Sequence, residues 1–503
     1  MTKKNWQLFY PVLLGIYAAV GLVSINISQM YFSAGVRSIL VAVLFSILVY
    51  VVFCWSIKDE HKAALLCAWF MLFFFAYGHV YGPVEGARIF GLVVGRHRFL
   101  FPLWVGVFGV GAWLIYKRAR RLESFSWVLN MVGIILLVIP VIQIGVFEWN
   151  RHRSDEGAVS AAALPVTQGV TLLPKDQLPD VYYIILDGYP RQDVILQYHH
   201  FDNSEFINQL KAIGFYVPAC SLSNYAMTDL SLGSSLNMNY LEGLNPDIHA
   251  IHFSEIIKNS KTRQFLTQLG YKTVSVESGI MFTELFNANY YIDQKRPITS
   301  SFWDFTRVSE FEVLFIRTTI LRLVDEFKTA WLDSFFQNPR KEAYERIMFE
   351  FDQLESSPSL PGPKFVFVHI LAPHSPPFIF NADGAFEVSN SVDPAFGNEL
   401  QFLNKRTLEA VQAIIAQSKN PPIIILQGDH GLDPEVRLAA LIAYYFPNGG
   451  ARVLYPTITP VNTFRLVFNT YFGQNLPLLP DVGYYSPYEH KYKLAEVQYP
   501  CNP

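Results

Sequence analysis

Several common functional signatures are missing from this 503-residue sequence. The formal net charge is only −3, so the chain as a whole gives no sign of nucleic acid binding. The four cysteines include no CxxC pair, which excludes a zinc ribbon, and there is no internal repeat or low-complexity tract. Apolar residues, in contrast, make up 51% of the chain, and the mean hydropathy of +0.22 is high for a soluble protein.

The excess of apolar residues lies in the first 149 residues and predicts an α-helical transmembrane domain. The usual span of about 20 apolar residues fits five segments there, namely 8–27, 38–57, 63–81, 99–116 and 127–147. Basic residues concentrate before the first segment, after the second and after the fourth (117–121, KRARR), which places the N-terminus in the cytoplasm. We therefore expect a multi-pass protein of the cell (inner) membrane with its later residues outside the cytoplasm.

The remainder of the chain predicts a linker and an α/β domain. Residues 150–177 have the polar, small-residue composition of a linker. From 178 to 503, apolar strand-like runs (180–186, 272–278, 364–371 and 422–427) alternate with amphipathic helical patterns. This alternation predicts a mostly parallel sheet with helices on both faces. Residues 300–340 are aromatic and amphipathic, and we expect helices packed against this domain, with a membrane-surface helix as the alternative.

Three of the predicted strands end on residues that can bind a metal or a phosphate. The first ends at Asp187 (IILDGY), the second leads into His369 and His374 (VHILAPHSPPF), and another ends at Asp429 and His430 (QGDHG). In open α/β sheets, ligands bind beyond the carboxyl ends of the strands. An Asp-Gly after a strand is usually only a turn, and a single histidine is usually structural, but three such ends at one sheet edge predict a site.

A candidate nucleophile lies between the first two of these strands. Thr228 (SNYAMTDLSLG) stands where a helix is expected to begin, in an N-cap position. Helix amides at such a position bind phosphate oxygens, and a divalent cation beside the hydroxyl would activate it as a nucleophile.

These motifs, LDG, a threonine opening a helix, PHSPPF and GDHG, resemble in their order the alkaline phosphatase/sulfatase superfamily. With five preceding spans, the chain is most similar to lipoteichoic acid synthases and lipid A phosphoethanolamine transferases, which share a single-metal, threonine-nucleophile plan. The resemblance implies an alkaline phosphatase-like fold. It also implies that Asp187, Thr228, Asp429 and His430 hold the metal, with Thr228 as the catalytic nucleophile, and that His374 contacts the anionic group of the substrate.

Two further histidines, His369 and His490 (YSPYEHKYKL), are additional candidates for substrate contact. The presence of an imidazole ligand favours Zn²⁺ or Mn²⁺, although Mg²⁺ is compatible with the oxygen ligands. The similar synthases and transferases usually have Glu where Asp187 stands, and Asp-Gly is closer to the two-metal phosphodiesterases. A second metal is nevertheless not supported, because the required Asp-x-x-x-His pair is absent. The sequence around Thr228 also lacks the C/S-x-P-x-R context that sulfatases need.

The resemblance implies a two-step transfer of a phospholipid head group, of the phosphoglycerol or phosphoethanolamine type, to an envelope glycan or lipid through a phosphothreonine intermediate. A membrane phospholipid would be the donor, and no nucleic acid partner is expected. A hydrolase with water as acceptor, either a phosphodiesterase or a phosphatase, stays open. So does a non-enzymatic, glycan-binding membrane protein. A disulfide between Cys220 and Cys501, both expected outside the cytoplasm, is a further open possibility.

Overall fold

The structure is a computed structural model of the chain. It describes residues 8–27, 30, 32–89, 92–93, 95–120, 122–156, 174, 177–245, 248, 253–294, 309–326, 330–374, 378–389 and 394–497. The chain divides into two compact units. One comprises Met1–Arg153 with Arg296–Pro339, and the other comprises Ser154–Lys295 with Arg340–Pro503.

The described residues form helices and strands in both units. The α-helices are α1 (Tyr10–Asn26), α2 (Phe32–Ser56), α3 (Glu60–Val84), α4 (His97–Arg118), α5 (Leu122–Glu156), α6 (Gln192–His199), α7 (Ser204–Ala212), α8 (Thr228–Asn237), α9 (Leu241–Leu244), α10 (Phe253–Lys258), α11 (Lys261–Gln268), α12 (Glu310–Thr318), α13 (Ala330–Ser356), α14 (Ala395–Gln417) and α15 (Pro460–Tyr471). The strands are β1 (Arg88–Ile89), β2 (Leu92–Val93), β3 (Val181–Leu186), β4 (Lys272–Val276), β5 (Tyr290–Ile292), β6 (Lys364–Ile370), β7 (Phe378–Phe380), β8 (Phe386–Ser389), β9 (Ile423–Gly428), β10 (Ile442–Tyr445), β11 (Gly483–Tyr485) and β12 (Ala495–Val497).

The first unit contains the apolar helices that the sequence predicts. Helices α2, α3, α4 and α5 are long and apolar enough to cross a membrane, and α1 is a shorter apolar helix of 17 residues. Helix α5 continues to Glu156, so the first residues of the predicted linker are helical. Residues 157–173, which make up most of that linker, lie outside the described residues.

Residues 309–326 also belong to this first unit, whereas the sequence predicted helices packed against the α/β domain. Helix α12 begins with a capping box in which Ser309 and Glu312 bond each other's backbone amides. On its apolar side, Phe315 packs with Ala19, Met71 and other buried residues of α1–α3. Close approach is possible because α3 has a glycine at position 78, where a Cβ atom would lie 1.9 Å from the Arg317 carbonyl oxygen.

The second unit contains a six-stranded sheet with the order β10-β9-β3-β6-β4-β5. Only β10 pairs antiparallel to its neighbour, so the predicted mostly parallel sheet is confirmed. Separate apolar clusters cover its two faces: one packs around Tyr182 and Ile184, and the other around Tyr183 and Ile185. Since β3, β6 and β9 are parallel, their carboxyl ends meet at one edge of the sheet.

Candidate metal centre and nucleophile

Strand register brings Asp187 and Asp429 together. Leu186 at the end of β3 lies opposite Gly428 at the end of β9, so the next residue of each strand is an aspartate. Side chains two residues apart in a strand point to the same face of the sheet. Asp187 therefore lies on the face of Ile185, and Asp429 lies on the face of Ile425, which is the same face. The backbone amide of Gly188, whose φ of +72° is in the left-handed region, donates a hydrogen bond of 2.9 Å to Asp429 Oδ1. Two buried carboxylates are thereby fixed side by side.

His430 completes this pair of carboxylates with an imidazole nitrogen. Its Nε2 lies 3.7 Å from Asp187 Oδ1 and 3.5 Å from Asp429 Oδ2. The other ring nitrogen, Nδ1, lies 2.9 Å from the Gly431 carbonyl, which can only accept, so Nδ1 carries the proton. The Nε2 lone pair therefore faces the two carboxylates.

Helix α8 delivers Thr228 to the same point. The helix packs through Leu232 and Leu236 against the face of the sheet from which the aspartates project. Thr228 is the first residue of α8 and not its N-cap, so the helix begins one residue earlier than predicted. Met227 is the N-cap, and its side chain makes no capping hydrogen bond. The Thr228 hydroxyl consequently does not cap the helix and lies 3.3 Å from His430 Nε2. It is only half-buried, whereas Asp187, Asp429 and His430 are buried.

The donor atoms in this cluster fit a divalent cation. Asp187 Oδ1 and Asp429 Oδ2 are buried and have no hydrogen-bond partner, an arrangement that costs free energy unless a cation is bound. One ligand atom from each of Asp187, Asp429 and His430 lies within 4.8 Å of the others, and no second such group exists among the described residues. Carboxylate oxygens and an imidazole nitrogen are ligands for Zn²⁺ and Mn²⁺.

Burial shifts the pKa values of the cluster: it leaves His430 in the neutral form that a metal ligand needs, while Asp187 would take its charged form only with a cation beside it. Burial lowers the pKa of His430 to about 4, so the imidazole is neutral, as a metal ligand must be. Burial, followed by the adjacent Asp429, raises the pKa of Asp187 well above its usual range. Burial alone would also raise the pKa of Asp429, but His430, His369, the Thr228 hydroxyl and the Gly188 amide together lower it.

His369 lies behind Asp187 and is fully buried. Its Nε2 is 3.7 Å from Asp187 Oδ2, and its Nδ1 is 3.0 Å from the hydroxyl of Thr283. Thr283 in turn lies 2.9 Å from the Ser278 hydroxyl, which bonds Glu284. No part of His369 is exposed, and its Nε2 faces Asp187 without a hydrogen-bond partner. We expect this ring to hold Asp187 in place, and its assignment as a substrate contact stays a prediction. The Thr283 end of this chain of contacts has no motif in the sequence.

The two remaining predicted histidines occupy different places. His374 is exposed, and its Cα lies 3.6 Å from the position of a Cβ on Gly188, so it stands beside the residue that follows Asp187. His490 is exposed in the 3-10 turn Tyr488–His490, and the structure shows no side-chain hydrogen bond from it to the cluster. Both assignments as substrate contacts stay predictions.

Arg437 is a residue of the cluster that the sequence did not reveal. Its Nη2 lies 3.2 Å from His430 Nε2, and its Nε donates a hydrogen bond of 2.7 Å to the carbonyl of Ala226, two residues before Thr228. A lone arginine seven residues after His430 has no spacing that marks it.

The cysteines of the two units differ in state. Cys220 in the second unit is disulfide-bonded, while Cys54 and Cys67 form no disulfide. Cys501, its predicted partner, lies outside the described residues.

Comparisons with protein-family models and with curated proteins find no match. Among solved structures, the chain is similar to the C-terminal periplasmic domain of EcEptC from Escherichia coli in complex with Zn (11% identity, 65% of this chain and 96% of that chain, TM-score 0.41). It is also similar to lipooligosaccharide phosphoethanolamine transferase A from Neisseria meningitidis (10% identity, 92% and 94%, TM-score 0.36). A third is the lipoteichoic acid synthase LtaP from Listeria monocytogenes (9% identity, 63% and 81%, TM-score 0.39).

Proposed function

We propose that this chain is a membrane-anchored, metal-dependent phosphotransferase of the alkaline phosphatase/sulfatase type. It moves a phospholipid head group, of the phosphoglycerol or phosphoethanolamine type, to an envelope glycan or lipid. The observation that carries the proposal is the convergence of the half-buried Thr228 hydroxyl with His430 and two buried, unpartnered carboxylate oxygens. A structural cluster would bury all of its polar groups and pair them, whereas this one leaves a nucleophile open to solvent.

The residues have separate roles in this proposal. Asp187, Thr228, Asp429 and His430 hold one Zn²⁺ or Mn²⁺, which when bound supplies the positive charge that activates the hydroxyl and offsets charge on the phosphoryl group. The Thr228 oxygen forms a bond to phosphorus as the lipid alcohol leaves, giving a phosphothreonine. An acceptor hydroxyl then displaces the threonine oxygen. His374, exposed beside Gly188, donates to the anionic group of the substrate.

The apolar helices explain why transfer is favoured over hydrolysis. A diacyl donor is confined to the bilayer, so a catalytic unit on the same chain as membrane-spanning helices meets that donor at a high effective concentration. Helices α2–α5 meet the length and composition requirements for such an anchor. In this proposal the N-terminus is cytoplasmic and the second unit is outside the cytoplasm of the cell (inner) membrane.

Incubation of the purified full-length protein with head-group-labelled phospholipid and an acceptor lipid or glycan tests this function. Label that moves to the acceptor supports transfer, and label that is released only as a water-soluble product indicates a hydrolase. The Thr228→Ala variant should lose turnover while it keeps its fold and most of its bound metal. Thr228→Ser, which retains a hydroxyl, should keep measurable turnover.

Retained turnover in Thr228→Ala would contradict the covalent mechanism. Metal content distinguishes the non-enzymatic alternative, because Asp429→Ala should lose the cation if the ligand set is correct. Equal metal in the wild type and Asp429→Ala would contradict the ligand set.

A further inference from the structure

Arg437 is held rigidly beside the proposed nucleophile. Its guanidinium donates to the Ala226 carbonyl at 2.7 Å, to the Leu432 carbonyl at 3.3 Å and, through Nη2, to His430 Nε2 at 3.2 Å. The Thr228 hydroxyl approaches the same imidazole nitrogen at 3.3 Å. The charged group of Arg437 and the hydroxyl of Thr228 thus converge on one atom.

This arrangement would have to change if a cation were bound. The lone pair on His430 Nε2 that accepts from Arg437 is the one that a metal ligand must offer, and one lone pair cannot serve both. A guanidinium cannot lose its proton, so it would remain as a positive charge close to a divalent cation. Repulsion between the two positive groups is relieved if an anion lies between them.

The charges of the cluster indicate what kind of anion would lie between the cation and Arg437. Asp187 and Asp429 carry two negative charges, which a divalent cation neutralises, so the metal with its carboxylates has no net charge to attract a substrate. Lys491 lies near the start of α8, but it pairs with Asp229 at 2.5 Å. Among the described residues, Arg437 is the cationic side chain that hydrogen-bonds a member of the cluster. With the Thr228 hydroxyl still protonated, Arg437 would give the metal-loaded site a net charge of +1, which complements the single negative charge of a phosphodiester.

We infer that Arg437 is a substrate-binding residue that contacts the phosphoryl oxygens of the group attacked by Thr228. The planar guanidinium suits this role, because its paired N–H groups match the oxygens of a phosphate. The inference rests on the proposed function, since it assumes that the cluster holds a divalent cation.

A purely structural role for Arg437 makes the opposite prediction for metal binding. The side chain ties the segment before Thr228 to the loop after His430 through two carbonyl contacts. If this were its whole contribution, its removal would loosen Thr228 and His430, and metal affinity would fall. If Arg437 instead binds the substrate, its removal takes away a positive charge next to the cation, and metal affinity should be unchanged or higher.

The test uses the full-length protein in detergent and measures two affinities. Metal affinity is measured by competition with a chelator, and binding of inorganic phosphate to the metal-loaded protein is measured by calorimetry. Arg437→Gln should weaken phosphate binding by roughly 10- to 100-fold, the loss expected for a charge-assisted contact, without weakening metal binding. Arg465→Gln is the matched control, because Arg465 also donates to backbone carbonyls, those of Met238 and Pro477, away from the cluster.

Three results would count against these ideas in different ways. Unchanged phosphate affinity in Arg437→Gln overturns the inference and leaves the proposed function standing. A parallel fall in metal and phosphate affinity assigns Arg437 a structural role and also overturns it. A wild-type protein that binds no divalent cation overturns the proposed function itself.

Discussion

The buried contact between Thr283 and His369 offers a test of how Asp187 is positioned. Replacing Thr283 with valine preserves the shape of the side chain and removes one hydroxyl. That hydroxyl lies 3.0 Å from His369 Nδ1 and 2.9 Å from the Ser278 hydroxyl, and it bonds the Ile280 carbonyl at 3.1 Å. His369 would lose the described partner of its Nδ1, and its ring would no longer be held facing Asp187 Oδ2.

Two magnitudes follow from these contacts. A buried imidazole nitrogen without a partner costs about 1–3 kcal/mol in the free energy of unfolding. Loss of a residue that orients a metal ligand typically weakens metal affinity by roughly 10- to 100-fold. Thr283→Val should show both effects, although Thr283 is not a ligand and does not contact Thr228.

The assay compares metal affinity, measured by chelator competition, with stability to denaturant. Thr463→Val is a matched control, because Thr463 is also fully buried and its hydroxyl bonds another side chain, the Tyr444 hydroxyl at 2.8 Å, away from the cluster. It should lose similar stability and keep its metal affinity. Thr283→Ser, which retains the hydroxyl, should stay near the wild-type affinity.

Wild-type metal affinity in Thr283→Val would refute the reasoning, since His369 would then have no influence on Asp187. Equal losses of metal affinity in Thr283→Val and Thr463→Val would refute it as well, because the effect would then be one of general stability.

Two other predictions concern the first unit and the pH dependence of the second. Gly78→Ala should displace residues 309–326 from α3, at a cost of about 1–3 kcal/mol in stability, and make them accessible to limited proteolysis. Gly106→Ala is the control, because its Cβ would meet nothing within 4 Å. An unchanged digestion pattern in Gly78→Ala would contradict this packing. Burial raises the pKa of Glu399 to about 7 in the folded state, above the value of about 4.5 in the unfolded chain. The folded protein therefore holds a proton on Glu399 that the unfolded chain has lost, and stability falls as pH rises from about 4.5 through 7. Denaturant unfolding at pH 5 and pH 8 should show that Glu399→Gln removes this loss of stability, which is about 3 kcal/mol. Glu409→Gln, at an exposed position on the same helix, should keep the loss. Parallel pH profiles of stability for the wild type and Glu399→Gln would argue against a buried charge at this position.

The parts of the site that lie at strand ends could be predicted from the sequence. Apolar β-branched runs set the strands, and Asp187 and Asp429 follow them directly, so a parallel sheet places both at one edge. Thr228 was identifiable because it stands where a segment of helical character is expected to begin, in an N-cap position. The structure moves the helix boundary by one residue, so the hydroxyl is available to the cluster instead of capping α8.

Features that depend on contacts between distant residues could not be predicted. Thr283 reaches His369 from a loop after β4, and Arg437 reaches Ala226 across more than two hundred residues. Neither has a periodicity or a neighbouring motif. The grouping of α12 with the N-terminal helices likewise depends on Gly78, whose missing side chain is informative only once its neighbour is known.

The chemical state of Thr228 after reaction is the most direct test of the central claim. The wild-type protein is incubated with metal and phospholipid in the absence of an acceptor, quenched in acid and digested, and the peptide containing Thr228 is examined by mass spectrometry. We predict a phosphoryl adduct, with or without its head-group alcohol, on Thr228 and on no peptide of the Asp429→Ala variant. An unmodified Thr228 in a protein that turns over phospholipid would contradict the account.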